Sequence, residues 1–399
     1  MMNKRMLYPD LLRILASFLV VLIHVTSVKI NEGHSETSAW VVCMVLNSMS
    51  HWAVPIFFMI SGMLFLDPER EFTMEKLFRK HIVRVVLCLV VWGFFYSVLD
   101  QYIFGGLSLR SPFLAVYGII TGNTGYHLWF LYTLLALYLA TPTLRIFTAH
   151  ASRRQVEYAL VIWFLCCVCV GEVNRLASGL LDIEQLLPTE AVMIVDHAGF
   201  YLLGYYLHRY SVSDKWAHRL YILTVVCLLL MPICNLFVCR WASLSFSHRM
   251  GIGNCIVASG VFLCASRLHM ELLPECLCRT VCRLRERTFG IYLIHVFFVA
   301  LIFRLLKLDL ISNAPILGVL LSTVGIFFLS ALTAKLLEMG ARVYERDDSI
   351  RVCSLGKHRA VTFKTQVYPG FPTDLQQPMS ALLCTANGTS TVVENIFES

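Results

Sequence analysis

The sequence predicts an all-α fold: a polytopic integral membrane protein of about ten transmembrane helices with both termini in the cytoplasm. Three observations carry this. Of 399 residues, 57% are apolar and 15% charged, against about 45–50% and about 25% in soluble domains. The mean hydropathy is +0.68. Apolar runs of about 20 residues, the length that crosses a bilayer as a helix, recur along most of the chain.

The candidate spans are 7–28, 40–66, 82–104, 126–147, 156–172, 191–208, 217–239, 252–269, 288–306 and 314–338. Basic residues test this arrangement, because short cytoplasmic loops concentrate Lys and Arg. With the N terminus inside, 18 Lys and Arg fall on inner segments and 7 on outer segments or helix ends. Removing one span inverts every later loop and destroys that asymmetry. The net charge of +7 therefore reads as a topology signal, and no nucleic-acid partner is expected. The first apolar run is long enough to span and lacks a small-residue cleavage site, so it reads as a helix that stays in the protein.

Two regions follow: 1–340, the transmembrane domain, and 341–399, a polar tail with scattered Pro, Gly, Ser and Thr and no apolar span, expected to be cytoplasmic and poorly ordered. Most of the 15 cysteines lie in apolar runs and read as small packing residues. Cys276, Cys278 and Cys282 do not have zinc-ligand spacing, so no metal is expected.

Ionisable side chains inside a span are costly and mark function. The first helix carries Asp10, Arg13 and His24. Eleven residues separate Arg13 from His24, which places them within about 20° of one another and about 16 Å apart on a helix. Asp10 sits one turn before Arg13 and is placed to pair with it. This stripe should face protein, since lipid cannot solvate it. Read alone, Asp10 and Arg13 also fit an interfacial anchor, and His24 a structural histidine.

Other histidines lie at comparable depth: His51 in the second span, His127 opening the fourth in His127-Leu-Trp129-Phe-Leu131, and His295 in Gly290-Ile-Tyr292-Leu-Ile-His295. Imidazole is the usual general base near neutral pH, and acyl transfer to a sugar needs a base at a hydroxyl. The entrance to the third span, Arg79-Lys80-His81-Ile-Val-Arg84, is an ordinary positive-inside cluster or a site for phosphates. Arg84 reaches into the apolar run, which topology alone does not require. In Val54-Pro55-Ile-Phe-Phe-Met-Ile-Ser-Gly62, Pro55 suggests a kink and Gly62 a close helix approach.

Taken in order, these motifs resemble acyltransferase family 3 membrane proteins, and within them the O-acetyltransferases of surface polysaccharides such as enterobacterial common antigen. The likeness rests on Asp10-x2-Arg13-x10-His24, Val54–Gly62, His127–Leu131, Gly204-Tyr-Tyr-Leu207 and Gly290–His295, and covers roughly 7–338. It implies ten helices in the inner membrane and cytoplasmic acyl-CoA, usually acetyl-CoA, as co-substrate. The implied acceptor is a cell-surface or lipid-linked glycan.

It further implies that Arg13 and His24 are catalytic with Asp10 beside them, and that Arg79, Lys80, His81 and Arg84 hold the CoA. His51, His127, Trp129, Tyr292 and His295 then fall to the substrate side. The sequence departs from the family at His81, where Arg is frequent, and at His51, where many relatives carry Arg. The alternative expectation is a transporter or exporter of a polysaccharide or small polar substrate, with the same polar stripe lining a permeation path.

Overall fold

A computed structural model describes residues 7–33, 36–104, 106, 108, 110–181, 186–187, 197–242, 251–268, 274–337, 342–346, 349–353, 362–364 and 391–393. The chain divides into two compact units, Met1–Ala334 and Lys335–Ser399. In chain order the helices are α1 Tyr8–Asn31, α2 Ser38–Ser48, α3 Ala53–Phe65, α4 Met74–Lys76, α5 Val83–Phe104, α6 Ser111–Thr121, α7 Trp129–His150 and α8 Arg153–Trp163. They continue as α9 Val170–Leu181, α10 Ala198–Arg209, α11 Asp214–Ala242, α12 Ile252–Arg267, α13 Glu275–Arg285, α14 Thr288–Val299, α15 Leu310–Asn313 and α16 Pro315–Leu337. Wider π turns at Leu77–Ile82, Phe164–Cys169 and Ala300–Leu305 lie within the longer spans.

Among the described residues, eight helical stretches are long and apolar enough to cross a membrane: Tyr8–Asn31, Ser38–Phe65, Met74–Ile103, Trp129–His150, Arg153–Ser178, Asp214–Phe237, Thr288–Leu305 and Pro315–Lys335. They match eight of the ten expected spans. Of the other two, 252–269 corresponds to the shorter apolar helix α12. The span 191–208 is seen as α10, with 191–196 outside the described residues. One further apolar helix, α6, lies where the sequence suggested only an outer loop. The smaller unit holds short strands, β1 Arg342–Arg346 antiparallel to β2 Ser349–Cys353, and β3 Thr362–Lys364 parallel to β4 Thr391–Val393. Asn387-Gly388-Thr389, which matches a glycosylation sequon in the sequence, is outside the described residues.

Local chemistry sets the helix ends. Thr37 and Thr73 cap α2 and α4 by accepting from the amides of Trp40 and Lys76. Ser152 and Gln155 form a reciprocal capping box at α8. The second span is broken in the turn before Pro55, where a proline offers no amide to the carbonyl four residues earlier, here that of His51. The chain leaves the helix at Met49–Trp52 and re-enters it at Ala53, so Pro55 falls in the first turn of α3, where the amide it lacks would have had no helical acceptor. The Trp52 indole donates to the Met49 carbonyl at 2.7 Å and satisfies part of the break.

α3 and α10 form the tightest crossing. A Cβ on Gly62 would sit 1.7 Å from the Tyr201 carbonyl oxygen, and one on Gly204 would sit 1.9 Å from that of Met59. Two small residues thus let the backbones touch, the usual route to helix association where lipid gives no hydrophobic drive. Ile56, Phe58, Met59 and Met63 pack with Phe200, Tyr201 and Tyr205 around this crossing. Outward, α5 exposes Leu87, Val90 and Val91, α11 exposes Val225, Leu229 and Leu230, and α16 exposes Leu317, Leu320 and Phe328. Such apolar outer faces suit lipid. α1 lies between α2, α3, α12, α13 and α14.

Candidate active site

The polar stripe of α1 faces protein. Two cavities meet along it. One, of about 550 Å³, is lined by Arg13, Val20 and His24 of α1, with His81, Arg84, Tyr138, Arg285 and Glu286 toward the N-terminal end of α1. The other, of about 590 Å³, is lined by Val20, His24, Ser27 and Asn31 of the same helix, with His51, Asp100, Tyr126 and Arg304 toward its C-terminal end. Val20, His24, Val54 and Trp129 line both.

Arg13 is held by a shared carboxylate. Asp10 is buried at 4% exposure. Its Oδ1 lies 3.6 Å from Arg13 Nη1 and its Oδ2 3.0 Å from Arg285 Nη1. Asp10 lines neither cavity and bridges the two guanidinium groups from behind. Arg285, from the end of α13, also approaches Glu286 at 3.7 Å. With Arg13, Arg84 and Arg285 against Asp10 and Glu286, this end of the cavity carries net positive charge, which favours an anionic group.

The basic entrance of the third span is split by its π turn. Leu77 and Ile82 are buried, whereas Arg79 is exposed and paired with Glu75 at 3.1 Å, and Lys80 is exposed. His81 and Arg84 line the cavity; Arg79 and Lys80 do not. The structure thus brings two of the four residues expected to hold the CoA to this cavity. A π turn holds more residues per turn than an α turn, and here it leaves Arg79 and Lys80 on the outer side. The His81 ring packs edge-on to Phe65, centroids 4.9 Å apart.

Two further imidazoles converge on His24. Its ring centroid lies 5.0 Å from that of His295, 6.4 Å from His127 and 5.2 Å from Tyr126. The His127 and His295 rings are 5.5 Å apart. Three separate stretches hold this cluster. The Tyr96 hydroxyl of α5 donates to the Leu293 carbonyl of α14 at 2.6 Å and accepts from the Phe297 amide at 3.2 Å. The Tyr292 hydroxyl donates to the His127 carbonyl at 2.8 Å. Tyr292 also lines the first cavity, whereas His295, wholly buried, lines neither, so the substrate contact expected of it is not seen. His51 lines the second cavity, its Nε2 at 2.8 Å from Asn47 Oδ1. The Asn47 amide in turn donates to the Ile23 carbonyl and the Thr26 hydroxyl of α1.

At the far rim Lys29 joins α1 to Asp309, at 2.6 Å, and to Glu32, at 2.8 Å. Burial would raise the Asp309 carboxyl, but the Lys29 ammonium and the Ser312 hydroxyl and amide outweigh it and hold it at about 2. Among the described residues no group of three or more His, Cys, Asp or Glu is arranged to hold a metal ion.

Sequence reasoning missed Arg285, which read as one more topology charge. It also missed Tyr126, Tyr138, Asp100 and Arg304, which carried no motif. Only packing brings them to α1.

A family model described as an acyltransferase domain matches residues 6–335. Curated proteins match only in part. The UDP-N-acetylglucosamine 1-carboxyvinyltransferase of Clostridium botulinum (strain ATCC 19397 / Type A) is 56% identical over 71 residues, 18% of this chain and 17% of that enzyme. One from Geobacillus kaustophilus (strain HTA426) is 58% identical over 69 residues, 17% of this chain and 16% of that enzyme. One from Bacillus subtilis (strain 168) is 51% identical over 72 residues, 18% and 17%. The chain thus spans about a sixth of the length of these relatives. No solved structure matches.

Proposed function

The chain belongs to acyltransferase family 3, and from that premise we propose that it moves an acyl group, most simply acetyl, from acyl-CoA to a hydroxyl of a surface or lipid-linked glycan. The single observation that carries the reading is that His24 lines both cavities, which open toward opposite ends of one helix. A donor on one side of the bilayer and an acceptor on the other must meet at some shared group, and this imidazole is common to both routes.

In this reading the N-terminal end of α1 lies in the cytoplasm, at the inner membrane. Arg84 and Arg285, with His81, attract the donor's phosphates, and the thioester reaches inward past Tyr138 toward His24. The acceptor enters past Asp100, Tyr126 and His51. His24 takes the proton of the attacking hydroxyl, and Arg13, fixed by Asp10, offsets charge along the donor's path. Imidazole general-base assistance contributes about 10²–10⁴ in rate. The acceptor is placed no more finely than a sugar hydroxyl. The likeness to enzymes acting on UDP-N-acetylglucosamine covers about 70 residues and does not transfer their substrate.

The same joined cavities also support a transporter. Purified protein in detergent decides between them. The enzyme releases free thiol from acetyl-CoA in the presence of a glycan acceptor, and His24→Ala stops this while the protein still elutes as a folded species. Substrate movement across vesicles without thiol release overturns the acyltransferase reading. Mass spectrometry of surface glycans from a deletion strain and its parent identifies the acceptor.

A further inference from the structure

His295 has one ring nitrogen whose protonation is fixed by its surroundings and one that faces no protein partner. Its Nδ1 lies 2.7 Å from the Tyr292 carbonyl oxygen and 3.1 Å from that of Ile291. Carbonyl oxygens only accept, so Nδ1 must carry the proton, and in the neutral ring Nε2 is then a bare lone pair. That Nε2 is buried and has no hydrogen-bond partner in the protein. A buried acceptor left unmet is costly and calls for an explanation. The ring it sits beside is His24, 5.0 Å centroid to centroid and tilted by 46°. At that separation a turn of either ring brings nitrogen toward nitrogen.

We propose that His295 is the positioning residue for His24. It rests on the acyltransferase reading above. Nε2 of His295 accepts a hydrogen bond from one N–H of His24, which leaves the other His24 nitrogen as the lone pair that faces the substrates. The acceptor O–H proton passes to that nitrogen as the oxygen attacks the thioester carbonyl carbon. The C–S bond then breaks, and the proton is passed on to the departing thiolate. The products are the O-acyl ester and a free thiol, and His24 returns to its neutral form. Throughout, His295 holds the tautomer and shares the imidazolium charge without touching substrate. Two backbone carbonyls keep it from adopting the opposite tautomer, so the direction of the pair is built into α14.

The test compares His295→Leu, which keeps an apolar filling but removes the acceptor, with His295→Gln, whose amide oxygen supplies an acceptor near the place of Nε2. Thiol release is followed in detergent, after size exclusion shows both variants to be monodisperse. The expected result is a fall in kcat of about 100-fold or more for His295→Leu, with KM for both substrates unchanged and most of kcat recovered in His295→Gln. Full turnover in His295→Leu, or equal loss in both folded variants, overturns the proposal. Absence of thiol release from the unaltered protein instead defeats the acyltransferase reading. The pairing then stands or falls by nitrogen NMR of ¹⁵N-histidine-labelled protein. His295 should show an unprotonated Nε2 whose signal moves in His24→Ala; a protonated Nε2, or one indifferent to that change, refutes the pairing.

Discussion

Replacing Asp10 by Asn tests whether one carboxylate organises the charged end of the cavity. Asp10 sits 3.0 Å from Arg285 and 3.6 Å from Arg13. With an effective dielectric of about 20, those separations give gross attractions of about 5.5 and about 4.6 kcal/mol. Desolvating the carboxylate and two guanidinium groups takes back most of this. Loss of one buried partner typically costs 3–5 kcal/mol, and the third of the Arg13 side chain that remains exposed lowers the expectation to about 3 kcal/mol. Asn keeps an oxygen toward Arg285, which retains Glu286, but takes the shared anion away from both guanidinium groups. Asp10→Asn should therefore lower thermal stability in detergent and slow acyl transfer more than ten-fold, since Arg13 loses its ion pair with Asp10. The pair Asp10→Asn with Arg285→Gln removes one charge of each sign. Its cost in denaturant midpoint should fall short of the sum of the single costs by at least about 1 kcal/mol. Additive losses, or an Asp10→Asn protein as stable and active as the parent, would refute the idea that this carboxylate joins the two arginines.

Further outcomes follow from other parts of the fold. Gly62→Ala should prevent folding or lower stability by more than about 3 kcal/mol, because its Cβ meets the Tyr201 backbone 1.7 Å away and not a yielding side chain; yield and monodispersity after detergent extraction report it. On the proposed reading, Arg84→Gln should raise KM for acyl-CoA about ten-fold or more while leaving kcat nearly intact, since it removes a cation from the donor-side cavity. The Asp309 strap has a defined pH sense. Its carboxyl is held at about 2, below the unfolded value of about 3.9, so its contribution is complete above the unfolded value and is lost as pH falls toward 2. At 40% side-chain exposure that contribution is about 1 kcal/mol at most. The melting temperatures of the parent and Asp309→Asn should differ at pH 7 and converge below about pH 4.

The parts of this site carried by one helix were legible in the residues alone. The 3.6-residue period placed Asp10, Arg13 and His24 on one face, and the cost of burying them in lipid said which way that face looks. Gly62 announced a close approach, although only the fold named Gly204 as its counterpart. What escaped was whatever depends on register between elements. Arg79 and Lys80 share a short sequence with His81 and Arg84, yet the π turn at Leu77–Ile82 parts them, and nothing in the residue types forecasts a wider turn. The break at Met49–Trp52 is the exception, since Pro55 offers no amide to the His51 carbonyl four residues before it and so forecasts an interruption there. Arg285 counted equally well toward membrane topology and toward the cavity, because a guanidinium at the end of a helix satisfies both rules. His295 announced itself as a buried histidine, but its tautomer depends on two backbone carbonyls whose approach no sequence pattern encodes.

The α3–α10 crossing has a mechanical consequence. Rods whose main chains already touch at Gly62 and Gly204 have no slack for sliding or rocking past each other, since any shift drives an α-carbon into a peptide oxygen. On the proposed reading, delivery across the bilayer then falls to the cargo, with this pair of helices as anvil and not as hinge.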